Sequence, residues 1–398
     1  MLERFKFPYK IHSSLLLFFL LYFVFLDEAA NNLLITDSSK RFPYESILIY
    51  IMQGLQIVFS CLQAGFSDYY LRRKSLIFSI TATIVALVIF KFSITYGAFF
   101  IISSIVFKGI FGNTLPIAWA GISDLTRANN FRFALALSIC ALAVGSWGSL
   151  FVIPLMKGST FFYCTLIIVS IGLILVFCFF RDREDLPKAH FLEKKSFFRL
   201  ISDECLGIYF LAKKPVIALV LVTFLFSEIS FYQILFRIEV FSTYYCLVTV
   251  PFAIGVGYTL GTIVLKYIKS GDKFVSSLGL LFSFIGIILI VFLNKINHEN
   301  PTSFTLLFIF YSFGYAFFTP ALFSLITPKD HPHLQGKIYG ILESVDSLAS
   351  LLTFVMIFNT KTLSCNSVFL FSLLMISLCA LLFIFVCKWS APHLDRTT

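Results

Sequence analysis

The chain has 398 residues, 59% of them hydrophobic and only 13% charged, with a formal net charge of +10 and a mean hydropathy of +0.91. A core of ordinary size cannot hide that much apolar surface, which excludes a soluble globular domain and leaves an integral membrane protein. The 51 phenylalanines spread through nearly every apolar segment and read as lipid-facing bulk that locates no site.

A bilayer core about 30 Å thick needs about 20 helical residues at 1.5 Å each. On that ruler twelve spans are predicted, at 12–34, 44–64, 75–92, 97–120, 133–156, 160–180, 215–236, 243–266, 274–293, 303–326, 337–358 and 366–387. The first resembles a secretory signal, with basic MLERFKFPYK ahead of an apolar run, but Asp27-Glu28-Ala29-Ala30-Asn31-Asn32 holds no small-x-small cleavage site, so an uncleaved helix is expected. With the N-terminus inside, the inner connections hold 23 of the 31 Lys and Arg and the outer ones 7. Both termini are therefore expected in the cytoplasm. That asymmetry accounts for the positive charge without a nucleic-acid partner, and anionic inner-leaflet lipid is the partner it implies.

The longest polar segment, from Arg181 to Pro215, separates the sixth and seventh spans. It divides the chain into a six-helix half at 1–180, a cytoplasmic central loop at 181–214 and a second six-helix half at 215–398. Matching positions support a parallel duplication: Glu28 with Glu228, Ala64 with Gly261, Pro116 with Pro320 and Arg132 with Lys337, at offsets between 197 and 205. In the second copy Leu265 stands where Asp68 stands in the first, so the basic end of the connection is duplicated and its acid is not.

Between the second and third spans the chain reads QAGFSDYYLRRKS. The stretch resembles the signature loop of the major facilitator superfamily of secondary transporters: a small residue, three variable positions, Asp, a basic residue, a variable position, Gly and two basic residues. Ala64 or Gly65 supplies the small residue, Asp68 the acid, and Arg72, Arg73 and Lys74 the basic end, while Tyr69 and Leu71 depart from the pattern. Lys108-Gly-Ile-Phe-Gly112 is similar to the family's Arg-x-x-x-Gly in the fourth helix. The family's antiporter pattern in the fifth helix is absent, since Ala141-Leu-Ala-Val-Gly145-Ser-Trp-Gly148 contains no proline. The resemblance implies an all-α membrane protein of twelve transmembrane helices in two pseudo-symmetric halves. It further implies that helices one, four, seven and ten line a central cavity while three, six, nine and twelve face outward, and that Asp68 latches the start of helix eleven when the cytoplasmic side is closed.

Charged groups are expensive at membrane depth and so point to function, at about 2.5–3.5 kcal/mol each on insertion scales. Helix one carries Asp27 and Glu28, helix four Lys108, helix seven Glu228 and helix eleven Glu343 and Asp346, whereas three, six, nine and twelve have uncharged apolar cores. Lys108 lies about 15 Å and Glu228 about 18 Å from a helix end, near the midplane. Asp27, Glu28, Asn31 and Asn32 share one helix face about 140° wide, which argues for a wetted cavity. Lys108 either neutralises a neighbouring carboxylate or attracts an anionic solute group. Glu228 and Glu28 are the candidates for binding or exchanging a proton. Glu343 and Asp346 sit near the start of helix eleven, where a carboxylate favours the helix N-terminus, so gating or capping is expected of them. Asn113, Tyr232, Gln233, Tyr311 and Tyr315 are candidate cavity residues.

No phosphate loop, no C-x-x-C and no third ligand beside His331-Pro-His333 is present, so no cofactor or metal is expected. No N-x-[ST] acceptor occurs, which fits a bacterial inner membrane. The reading is a monomeric secondary transporter, proton-coupled as in a symporter, for a small polar or zwitterionic solute. Efflux of drugs or other amphiphiles is the alternative within transport. A polytopic membrane enzyme would need catalytic residues gathered at one face, whereas these charges centre on cavity helices.

Overall fold

The computed structural model describes residues 20–25, 27, 30, 34, 45–70, 72–126, 128–155, 158–180, 214–238, 244–296, 301–327, 334–359 and 365–389. Among them there is no strand. The first span is helical at its described residues, 20–25 being α1. Then follow α2 (Glu45–Tyr70), α3 (Arg72–Tyr96), α4a (Ala98–Phe111), α4b (Leu115–Leu125), α5 (Ala128–Leu155) and α6 (Gly158–Phe179). The second half holds α7 (Pro215–Ile238), α8 (Tyr244–Leu265), α9 (Asp272–Ile296), α10 (Pro301–Ile326), α11 (Gln335–Asn359) and α12 (Cys365–Trp389). Of these, α3, the α4 pair, α7 and α9 to α12 are long and apolar enough to cross a membrane, and shorter apolar stretches mark α5, α6 and α8. Glu28, Asn31, Asn32, His331 and residues 181–213 lie outside the described residues.

Two local features differ from the expected elements. The charged connection is helical almost throughout, because QAGFSDYY has no proline and Asp68 pairs with Arg72 one turn ahead at 2.5 Å, so α2 runs on to Tyr70 and α3 starts at Arg72. The fourth span, expected as one helix, breaks at Gly112–Thr114. Pro116 has no N–H to give the Gly112 carbonyl, four residues back, and its ring crowds that carbonyl. The matching Pro320 stays inside α10 without a break; there the residue four back is Ala316, a better helix former than glycine.

The two halves meet along two seams, α2 against α11 and α5 against α8, with α4b also on α11 and α5 also on α10. Small residues set the first seam. A Cβ on Gly336 would come within 2.1 Å of the Ala64 carbonyl oxygen, and one on Gly340 within 2.7 Å of the Cys61 Cα. Backbones that close leave no room for a methyl group. Outside, α3, α6, α9 and α12 expose large apolar side chains such as Phe78, Ile174, Phe292 and Ile384, a surface that hydrocarbon covers and water does not.

Candidate functional site

Three clusters of polar side chains are built into this bundle. The first surrounds the break in the fourth span. Lys108, with no exposed surface, sends its ammonium to Asp27 Oδ1 of the first span and donates to the Gly112 carbonyl at 2.5 Å. That carbonyl is the one Pro116 leaves without a helical donor, so the lysine repairs the break while neutralising a buried acid. The Lys-x-x-x-Gly spacing thereby acquires a physical reason: four residues bring the two together, and a Cβ on Gly112 would lie 2.5 Å from Lys108 Cδ.

The other orphaned groups at the break are also met. Gln63 Oε1 accepts from Asn113 N–H at 3.1 Å, and Gln63 Nε2 donates to the Ile110 carbonyl. Asn113 Nδ2 donates to Gly109 O at 3.2 Å, its Oδ1 accepts from Gln56 at 3.4 Å, and Ser79 and Thr114 share a hydroxyl contact at 2.9 Å. A cavity of about 10 Å³ lined by Phe23, Asp27, Ile80, Thr83, Thr114 and Val169 adjoins the pair, room for one water-sized body.

The second cluster joins α7, α10 and α11. Glu228 Oε1 accepts from the Tyr315 hydroxyl, whose oxygen lies 3.4 Å from Ser227 Oγ. Tyr232 donates to both Asp346 oxygens at 3.0 Å, and the Asp346 carboxyl faces Glu228 from α11 closely enough for the two charges to act on each other. Two carboxyl groups brought into one cluster repel each other when both are charged. The Glu343 charge reaches Glu228 from one turn earlier on α11. Aromatic rings wall the cluster, with Phe231 stacked on Tyr315 and Tyr311 at centroid distances of 5.0 and 6.3 Å and Tyr258 edge-on to Tyr315 at 6.1 Å. Gln233 turns instead to Ser372 of α12, at 3.1 Å.

The third cluster is at the end that carries the charged stretch. Asp68 accepts from the backbone N–H of Gly336 and of Lys337, at 3.0 and 3.2 Å, so it caps the first turn of α11. Arg72 holds Asp68 on one side and Asp124 of α4b at 2.9 Å on the other, and Lys337 reaches the Tyr69 hydroxyl at 3.3 Å. Ala64 lies buried under Gly336 and Gly340, Gly65 is buried beside it, and Arg73 donates to the Phe177 carbonyl at 2.6 Å, tying α3 to α6. On the other seam, Arg132 of α5 donates to the carbonyls of Ile268 and Ser270 at 2.6 and 2.8 Å and pairs with Asp272 at 2.9 Å, while Ser324 donates to Asp272 at 2.7 Å.

Among the residues singled out from sequence, the structure thus groups Asp27, Lys108, Gly112 and Asn113 in one place. Glu228, Tyr232, Tyr311, Tyr315, Glu343 and Asp346 gather in a second, and Ala64, Asp68 and Arg72 in a third. Lys108 and Glu228 belong to separate clusters, each with its own partners. Asp346 stands with Glu228, eleven residues or about 16 Å into α11, and does not cap that helix. Sequence reasoning missed Gln56, Gln63, Asp124 and Asp272. Gln56 and Gln63 are seven apart on one face of α2, a readable signal. Asp272 escaped because the repeat comparison looked for the second acid at Leu265.

The family model described as Major Facilitator Superfamily matches residues 13–354. No curated protein matches the sequence. Among solved structures, the human organic anion transporter MFSD10 (TETRAN) is similar with a TM-score of 0.73 and 16% identity, over 94% of this chain and 100% of that one. FucP in its outward conformation gives a TM-score of 0.69 at 16% identity, over 94% and 99% of the two chains. A variant of the E. coli fucose:proton symporter FucP gives 0.70 at 15% identity, with the same coverage. These likenesses carry the architecture, twelve transmembrane helices in two pseudo-symmetric six-helix halves, and the matched family spans most of the sequence. The chain belongs to the major facilitator superfamily.

Proposed function

We propose that the protein is a proton-coupled secondary transporter that moves a small polar or zwitterionic solute by alternating access, its halves at 1–180 and 215–398 rocking about a midplane site. The observation that carries this reading is the cluster in which Tyr315 of α10 donates to Glu228 of α7 and Tyr232 of α7 donates to Asp346 of α11, gathering two carboxyl groups at membrane depth. It bridges α7 and α11, and α11 is the helix that seals on α2. With a proton on one of the two carboxyl groups the repulsion between them is gone and α7 and α11 stay together; without it, two carboxylates repel and α11 is released. Titration of one site then biases the closed seam.

Charge balance supports the substrate class. Lys108 is already neutralised by Asp27, so the carboxyl groups of the second half favour a solute that presents hydroxyls or an ammonium group. The aromatic wall of Phe231, Tyr258, Tyr311 and Tyr315 favours efflux of an amphiphile as the second reading. The excess of Lys and Arg in the inner connections supports cytoplasmic termini, the bacterial inner membrane is the proposed location, and a single chain is the proposed working unit. Proteoliposome uptake of hits from a metabolite thermal-shift screen tests the proposal. A proton gradient should drive uptake by the wild type, and Glu228→Gln should lose that dependence while keeping solute exchange. Gradient-driven uptake that survives both Glu228→Gln and Asp346→Asn would refute it.

A further inference from the structure

The last helix, α12, ends beside lysines that form no ion pair among the described residues. It packs along both α7 and α9, and because successive spans run in opposite directions, its end lies with the starts of those two helices. Lys388 stands in the last turn of α12, Lys273 in the first turn of α9 and Lys214 directly ahead of α7. Lys273 Nζ donates to the carbonyl of Cys387, the residue before Lys388, at 3.3 Å. Lys214 and Lys388 are exposed and Lys273 is half-buried. The neighbouring acid, Asp272, is taken up on the other side by Arg132 and Ser324.

The surface next to these lysines is apolar and open. Phe274 and Leu281 of α9, seven residues apart and so on one helix face, are each more than half exposed, as are Leu381 and Phe385 of α12, four apart. From Phe274 to Leu281 that face descends about 10 Å, which stays within one hydrocarbon leaflet about 15 Å deep.

Cations standing over an apolar face fit an amphiphile with an anionic head. Free phosphate would use the lysines and gain nothing from the face below them. A second copy of this chain in a two-fold contact would set the same lysines against each other, because such an interface joins one patch to itself, in a chain whose formal net charge is already +10. Local structure uses only part of the donor capacity: Lys388 complements the end of α12 and Lys273 gives one N–H to a carbonyl, while each ammonium carries three.

We propose that the end of α12 is a binding site for one anionic phospholipid, its phosphate held by Lys273 and Lys388 with Lys214 on the α7 side, and its acyl chains laid on the exposed faces of α9 and α12. The lipid supplies the counter-charge that the described protein groups do not. None of these lysines belongs to the three polar clusters, so the site stands independently of the transport reading.

Native mass spectrometry of the full chain in detergent tests it, by titration with phosphatidylglycerol, with phosphatidylcholine of the same acyl chains, or with inorganic phosphate. The first phosphatidylglycerol should bind the wild type about tenfold or more tighter than phosphatidylcholine does. Lys388→Gln, at an exposed position, should weaken that binding about fivefold and Lys273→Gln with Lys388→Gln about twentyfold, while Lys273→Arg should stay within about threefold of wild type. Lys74→Gln removes the same charge from an exposed position at the start of α3 in the first half, and it should change binding by less than about twofold. Equal affinity for the two lipids, or an equal loss in Lys74→Gln, would overturn the site. So would displacement of the lipid by inorganic phosphate, or dimerisation through this face without lipid.

Discussion

Replacing Asp27 by asparagine should unfold the first half more readily than any surface change, and the structure sets the size of the effect. Lys108 is fully buried and its ammonium is held by the Asp27 carboxylate and the Gly112 carbonyl. Take the carboxylate charge away and a buried cation remains with neutral acceptors only. Breaking a buried ion pair from one side costs about 3–5 kcal/mol, most of it the penalty of the stranded charge. Lys108→Met strands the acid in the same way, so a similar loss is expected. The double variant, Asp27→Asn with Lys108→Met, has no stranded charge and keeps the aliphatic stem that packs beside Gly112; it should lie within about 2 kcal/mol of wild type. The two losses should therefore fail to add by about 4 kcal/mol or more. Reversible unfolding in mixed detergent and SDS micelles, followed by circular dichroism, measures each corner of this cycle. Losses that add to within about 0.5 kcal/mol would mean that Asp27 and Lys108 do not act as a pair, and the account of the break at Gly112 would fall with them.

Gly336→Ala places a methyl group 2.1 Å from the Ala64 carbonyl and 2.7 Å from Asp68 Oδ1, so α11 must back away from α2. Overpacking of this kind costs about 1–3 kcal/mol, and the closed seam should open, seen as faster alkylation of Cys61; an unchanged rate would show that the seam tolerates the methyl. Asp68→Asn removes the charge that caps α11 and holds Arg72, and it should slow solute exchange more than it weakens solute binding, with equal losses in both assigning the residue to the binding site. Arg132→Ala cuts the tie from α5 to Ile268, Ser270 and Asp272. Because Arg132 is only 14% exposed at its side chain, it should raise amide hydrogen exchange at 268–273 about tenfold or more, and no change there would deny the second seam its clamp.

What could be read from the sequence was what the membrane enforces locally. Apolar runs of spanning length located the ends of the helices from the second onward to within about six residues, since hydropathy acts residue by residue and needs no tertiary partner. The same logic singled out Lys108 and Glu228, charges too costly to be incidental. Pairings across long separations were out of reach: Asp27 with Lys108, Glu228 with Asp346, and Arg132 with Asp272 are contacts between helices that only packing brings together. Asp346 was read as a helix-start residue because depth along α11 was judged from its distance to the nearest loop, while its partner lay on another helix.

Proton movement is the most direct test of the central claim. Once the screen supplies a solute, wild-type proteoliposomes loaded with a pH-sensitive dye and given a pulse of it, with no imposed gradient, should change internal pH as solute enters. The Glu228→Gln and Asp346→Asn proteins should exchange solute with no pH change. Proton movement of wild-type size in both variants would contradict the assignment of the coupling proton to the pair that bridges α7 and α11.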